Sequence, residues 1–487
     1  MSSMRRNMTW MAASQAGVFI TQFTMTIFIA RLLTPYEMGV FAAALAVVGL
    51  IAIVRNLGLG SYLIRADALT PSVLATTFTI NALMALLIST LVVTMSVAGG
   101  ALLNEPGVRK VLLVIAAVPL VSILEFRPAT VMERNGRFSH LAAVNLLRTL
   151  TGAALTIVLA YHGHTYMSLA YGQLAGGVVA AVAFNLLGWR DVSLRLGLDD
   201  WRPVLRYGAH MFAITISTTL AGRVAELALA RLLGLAALGM YSRAAGVPGM
   251  VWESVHLVVT RALFVNMAEE RRQGRSLRET YLKVIEVMTA LLWPAFSGLA
   301  VLSGPVLLTL YGPQWTDAQV PLSLLALSSL PSVAMVAGGG LLTITGRTAD
   351  QARLETIRSV IGLALFLGGC LMGLSWAAGT RILEAVLAYG LYRKLIQQMS
   401  NTREMDFTPI YLRSLALTGV AVGPAFGVMC WYSWSPTAAT GPVVAATLAG
   451  IMLWATLLAY TKHPLFQETT LLVARLRHRA MVQRRPL

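Results

Sequence analysis

The sequence predicts an all-α polytopic membrane protein of about 14 transmembrane helices: two pseudo-symmetric six-helix lobes followed by two C-terminal helices. Three observations predict it. Apolar residues fill 57% of the 487 positions and charged residues 12%, where an ordinary soluble protein carries about 25% charged residues. Apolar runs recur from end to end with short polar breaks, each close to the roughly 20 residues that cross about 30 Å of hydrocarbon as a helix. Finally, the phrase ARLLTPYEMGVF (Ala30 to Phe41) returns as ARLLGLAALGMY (Ala230 to Tyr241), 200 residues later.

Taken in order, the predicted spans run 9–33, 36–60, 72–98, 108–128, 139–161, 165–188, 203–230, 237–265, 281–303, 318–343, 353–373, 375–397, 410–432 and 438–461. The first follows Arg5 and Arg6 without a small-residue cleavage pattern, so it reads as an uncleaved span. The loops test the count, because cytoplasmic loops are enriched in Lys and Arg. Arg65, the group Arg127, Arg134 and Arg137, the group Arg190, Arg195 and Arg202, and the stretch AEERRQGRSLRETYLK fall on one predicted side. Arg347, Arg393, Lys394, Arg403 and the tail from Lys462 join them. The alternate loops, 161–165, 304–317 and 433–441, carry no Lys or Arg; Arg109 and Lys110 are exceptions. Both termini are therefore expected in the cytoplasm. The formal charge of +17 reads as this topology signal and not as a nucleic-acid surface. Cys370 and Cys430 lie in apolar runs and suggest neither a disulfide nor a metal site, and no cofactor motif is present.

A second match makes the repeated phrase a duplication. Asn135-Gly136-Arg137 answers to Thr345-Gly346-Arg347, and LLRTLTGAAL (Leu146 to Leu155) to TIRSVIGLAL (Thr356 to Leu365), at an offset of 210 that sets Arg148 on Arg358 and Gly152 on Gly362. Two anchors in the same order are what a duplicated half leaves. Six spans per half is an even number, so the repeats are parallel, with the pseudo-axis along the membrane normal, as in transporters. The expected domains are residues 1–200 and 201–400 for the lobes, 401–461 for the last two helices and 462–487 for a basic tail. The tail interleaves apolar and cationic residues, as either a surface segment on anionic membrane lipid or a simple topology flank.

Charges at membrane depth are costly and usually face a bundle interior or a wet cavity. Arg148 lies about nine residues, or roughly 14 Å, into its span, and Arg358 is its repeat mate. Two readings stand for this pair: cations offered to a shared cleft, or side chains that lock helices together. Arg358 has Glu355 three residues away, whereas Arg148 has Asn145. Arg55 either contributes to the cleft or snorkels to headgroups. Spans seven and eight add Arg223 with Glu226, Arg243, and Glu253 with His256. The first two form a helical pair by spacing, and the last two either a solvated pair or a protonatable coupling site. Arg381 and Glu384 read as a structural pair. Arg31 and Arg231, closing spans one and seven, are expected at the outer mouth. The surplus of deep cations suits an anionic headgroup, with phosphate or pyrophosphate matching the forked donors of Arg.

No nucleophile, Walker, zinc or dinucleotide motif appears, so an enzyme is not expected. A membrane polysaccharide polymerase or ligase, the reading from another class, would need a large outer loop, and every outer loop is short. A major-facilitator transporter would carry a basic and acidic signature that RNLGLGSYLIRAD (Arg55 to Asp67) does not match.

Three stretches carry a family resemblance: ARLLTPYEMGVFAAALAVVGLIAIVRNLGLGSYLIR (Ala30 to Arg65), ERNGRF (Glu133 to Phe138) and LLTLYGPQWTDAQVPLSLLAL (Leu307 to Leu327). The chain resembles the Wzx-type flippases, the polysaccharide transporter branch of the multidrug/oligosaccharidyl-lipid/polysaccharide superfamily. The resemblance implies two six-helix lobes around a central cavity, a bacterial inner-membrane location, and alternating-access transfer of a polyprenyl-pyrophosphate-linked oligosaccharide. It also implies a role in exopolysaccharide, capsule or O-antigen (lipopolysaccharide) synthesis beside a polysaccharide polymerase and a chain-length regulator. A peptidoglycan-precursor flippase or a multidrug exporter of the same superfamily is the alternative. Related lipid flippases place cavity cations on spans one, two, seven and eight, which by position points to Arg55, Arg223 and Arg243.

Overall fold

A computed structural model describes residues 2–467 apart from 56–57, 66–69, 104, 189–194, 274–275 and 337. Every regular element among the described residues is a helix, and the chain divides into two compact units, Met1–Ser242 and Arg243–Leu487. The first holds α1 (Ser2–Leu32), α2 (Pro35–Ala52), α3 (Leu59–Arg65), α4 (Pro71–Leu103), α5 (Pro106–Ile115), α6 (Ala117–Arg134), α7 (Phe138–Tyr161), α8 (Met167–Leu187), α9 (Trp201–Leu233) and the first turns of α10 (Leu235–Arg272). The second holds the rest of α10, then α11 (Arg278–Val301), α12 (Ser303–Leu310), α13 (Gln319–Val333), α14 (Gly338–Thr345), α15 (Thr348–Met372), α16 (Leu374–Ser400), α17 (Glu404–Trp431) and α18 (Thr440–Tyr460). Among the described residues, helix fills most of each predicted span. Among the described residues, 11 stretches are long and apolar enough to cross a membrane. Predicted spans seven, eight and twelve correspond to α9, α10 and α16, which are helical but more polar.

Predicted spans two, four and ten are not continuous. The second breaks after a 3-10 turn at Ile53–Arg55, before α3; the fourth breaks at Ala116, between α5 and α6; and the tenth breaks between α13 and α14. The fourth and tenth are equivalent spans of the two halves. A break leaves backbone carbonyls that lipid cannot satisfy, and side chains from neighbouring helices donate to carbonyls at the fourth and tenth spans. The Ser89 hydroxyl on α4 donates to the Ala116 carbonyl at 2.7 Å, and the Trp293 indole on α11 donates to the Leu330 carbonyl at 3.0 Å.

Two helix prolines are handled in the same way. A proline removes the hydrogen bond to the carbonyl four residues before it. Pro128 in α6 leaves Leu124, whose carbonyl accepts from Asn185 of α8 at 3.0 Å; Pro294 in α11 leaves Ala290, whose carbonyl accepts from the Trp454 indole of α18 at 3.1 Å.

Within the first unit, the repeated phrase packs on its own copy. Gly39 and Gly239 are buried. A methyl group added to Gly39 would overlap the Leu235 carbonyl oxygen, and one added to Gly239 would overlap that of Pro35. At the offset of 200, Pro35 and Leu235 are themselves equivalent, so the contact is reciprocal and the backbones of α2 and α10 cross at the distance only glycine allows. The two turns into these helices differ. Thr34 caps α2, its backbone N–H donating to the Glu37 carboxylate at 2.8 Å, whereas Gly234 reaches α10 through a positive φ of 90°.

Candidate functional site

The first unit gathers Arg55, Glu125 and Arg148. Arg148 projects from the middle of α7 and donates to the carboxylate of Glu125 on α6. Their side chains are 38% and 13% exposed. Arg148 Nε is buried without a hydrogen-bond partner, so the guanidinium retains donor capacity. Arg55 closes the 3-10 turn after α2, is exposed, and attracts the same carboxylate. Two guanidinium groups thus share one acid. Sequence reasoning treated Arg148 as the less neutralised of the repeat mates and passed over Glu125. The signal was there: Glu125 is an acidic side chain inside a predicted apolar span, which marks a functional candidate by default.

Arg223 on α9 is also in the first unit. It pairs with Glu226 at 2.8 Å, one turn along, as the spacing predicted. Both side chains keep more than a third of their surface, 39% and 36%. Gly49 of α2 makes room for the guanidinium, since a methyl there would come within 2.5 Å of Arg223 Nε. Arg31 and Arg231 are exposed in the last turns of α1 and α9, where a cation complements the carbonyl end of the helix.

In the second unit, Arg358 of α15 is enclosed by acids. It bonds Glu355 on its own helix and Glu384 of α16, the latter at 2.7 Å. Glu384 also accepts from Arg381 at 2.6 Å, Glu355 accepts from the Tyr392 hydroxyl at 2.7 Å, and Arg381 lies 4.4 Å from the centre of the Phe366 ring. Gly362, the mate of Gly152, leaves the room that the Glu384 carboxyl fills. Two arginines face two carboxylates, so this cluster is neutral and its donors are engaged. The arrangement supports helix locking for Arg358, and with it an asymmetry between the repeat mates.

Arg243 lies at the edge of the second unit and interacts with Tyr311. Tyr311 and Trp315, in the third stretch that carries the family resemblance, are 1% and 0% exposed, with rings edge to face at 6.2 Å. These two aromatic side chains are thus core packing. Glu253 is exposed on α10; the His256 side chain lies outside the described residues, as do tail residues 468–487. Among the described residues, no group of three or more His, Cys, Asp or Glu side chains is placed to hold a metal ion.

A family model described as polysaccharide biosynthesis protein matches residues 28–320. The chain belongs to this family. Among relatives of this polysaccharide biosynthesis protein, the lipopolysaccharide biosynthesis protein WzxC of Escherichia coli (strain K12) is 24% identical over 362 residues, covering 73% of each chain. The succinoglycan biosynthesis transport protein ExoT of Rhizobium meliloti (strain 1021) is 26% identical over 327 residues, covering 66% of this chain and 65% of its own. In fold, the chain is similar to the lipid II flippase MurJ in an inward closed conformation. The TM-score is 0.75 at 13% identity, with 93% of this chain and 98% of that one covered. The family and the fold both agree with the Wzx resemblance.

Proposed function

We propose that this protein is a flippase that moves a polyprenyl-pyrophosphate-linked oligosaccharide repeat unit across the bacterial inner membrane by alternating access. The product serves exopolysaccharide, capsule or O-antigen synthesis. The observation that carries the reading is the cation surplus at Arg55 and Arg148, inside a multi-pass helical protein of a polysaccharide biosynthesis family. The names of WzxC and ExoT support the pathway, and that of MurJ supports a lipid-linked substrate. A guanidinium fork matches two phosphate oxygens, and its pairing strengthens where water is scarce. Arg223, partly exposed beside Glu226, and Arg243 are further cations for the headgroup. Arg358 holds α15 to α16. Arg31 and Arg231 belong to the outer mouth, and Glu226 and Glu253 are the acids available for gradient coupling. The lobes are residues 1–200 and 201–400, with both termini cytoplasmic. A polysaccharide polymerase and a chain-length regulator receive the translocated unit.

Deletion of the gene tests this function. Loss of one surface polysaccharide, with its lipid-linked unit accumulating on the cytoplasmic leaflet, is the expected outcome. Unchanged polysaccharide output in the deletion strain refutes it.

A further inference from the structure

We infer that Glu125 is a built-in competitor for the transported anion: its carboxylate occupies the Arg148 guanidinium in the empty protein, and the substrate pyrophosphate displaces it. This rests on the reading of Arg148 as a pyrophosphate contact.

The geometry that points to exchange is the incomplete pairing of Arg148. Glu125 uses one side of the guanidinium, while Nε is buried without a partner and 38% of the side chain is open. A structural lock looks different in this same molecule. Arg358, the repeat mate, is held by two carboxylates, one of which also takes Arg381 and the other Tyr392. Nothing corresponds to Glu125 in the second half, where position 335 is a methionine. The carboxylate is therefore present in one copy of the repeat alone.

Its setting also separates the carboxylate from the backbone's own needs. Glu125 sits on α6, the second piece of an interrupted span whose counterpart in the other half is also interrupted, and such paired interrupted spans mark binding sites in transporters of this build. The carbonyl freed by Pro128 belongs to Leu124 and is satisfied by Asn185. The backbone beside Glu125 thus stays fixed whether or not its side chain holds Arg148. Arg55 pulls on the same carboxylate from the end of α2, which gives the displaced side chain a second cation to face.

The chemistry favours exchange in both directions. Carboxylate and phosphate oxygens bind a guanidinium fork in the same way, but pyrophosphate brings several charges to one. A resident acid keeps a deep arginine from standing uncompensated when the site is empty. On the release side, it reclaims the arginine and weakens the hold on the product. An arginine with no competitor would bind the headgroup more tightly and turn over more slowly.

Isothermal titration of the purified full chain with inorganic pyrophosphate tests this. Glu125→Gln is expected to bind pyrophosphate roughly tenfold more tightly than wild type, within the range of ordinary coupling energies, while polysaccharide export in cells falls at equal protein level. Glu125→Asp, one methylene short of Arg148, is expected to tighten binding by a smaller factor, and it carries the test if the Gln variant does not accumulate. Unchanged or weakened affinity in these variants overturns the inference; Glu125→Asp keeps the negative charge, so tighter binding there reports the loosened pair and not a change in local field. The underlying reading fails separately. Arg148→Ala in the Glu125→Gln background leaves neither member of the pair charged, so retention of pyrophosphate binding there, or none in wild type, removes Arg148 from the site.

Discussion

Arg148 and Arg358 occupy matching positions in the two halves and differ in their company. Arg358 holds two carboxylates, and without it Glu384 keeps only Arg381 and Glu355 only the Tyr392 hydroxyl. Removing one partner of a fully buried pair costs about 3–5 kcal/mol, and this partly exposed cluster, whose acids keep other donors, costs less than that. Arg358→Met is accordingly expected to lower the thermal midpoint of the purified protein and to reduce its level in cells. Unchanged melting would refute the lock. Arg148→Lys keeps the charge and loses the fork; protein level is expected to hold while polysaccharide export falls about tenfold. Pairs within one helix were legible from spacing: Arg223 with Glu226, Arg358 with Glu355, and Arg381 with Glu384 are all three residues apart. The pair of Arg148 with Glu125 was not, because 23 residues separate them and only the packing of α6 beside α7 brings them together.

At the level of elements, the last two helices do more than trail the repeat. Alongside the Trp454 bond to Ala290, α17 contributes Arg413 to Glu286 at 2.7 Å, Ser414 to Thr289 at 2.8 Å and Asp406 to Arg278 at 2.6 Å, all on α11. Trp454→Phe deletes the donor and puts a smaller phenyl ring in place of the indole, so a loss of at least about 1 kcal/mol is expected in detergent unfolding. Pro294→Ala restores the helix's own N–H and should remove the part of that loss due to the missing donor. Just past α18, His463 is fully buried with Nε2 3.5 Å from Glu286, and its Nδ1 accepts from the Leu465 backbone at 3.2 Å. Burial holds its pKa below the ordinary histidine range; Arg413 pushes the same way, and Glu286 opposes them. The folded state therefore binds fewer protons than the unfolded one as the pH falls through the ordinary histidine range, about 6.5. The stability that His463 contributes is complete above that range and is lost below it. Thermal melts from pH 8 to pH 5.5 should show this decline in wild type and a flatter profile in His463→Asn. The sequence made the spans visible through hydropathy. It hid the breaks in spans two, four and ten because hydrophobicity alone does not report which carbonyls find a donor on another helix.

For the whole molecule, duplication explains more than the count of helices. The halves were readable from two phrases at offsets of 200 and 210, and their similarity ends where function begins. The acid on α6 has no counterpart, and Asn145 stands where the second half has Glu355. Gly39 and Gly239 carry the opposite lesson. Because each glycine meets the residue that begins the helix of the other copy, Leu235 for Gly39 and Pro35 for Gly239, one local shape serves as both sides of the contact. Gly39→Ala and Gly239→Ala should each cost about 1–3 kcal/mol by overpacking. The double variant should cost clearly less than their sum, since the first methyl already parts the chains for the second; strictly additive melting would deny the shared contact. The crossing of α2 and α10 is thus an internal seam in which each copy of the phrase answers for mutations in the other.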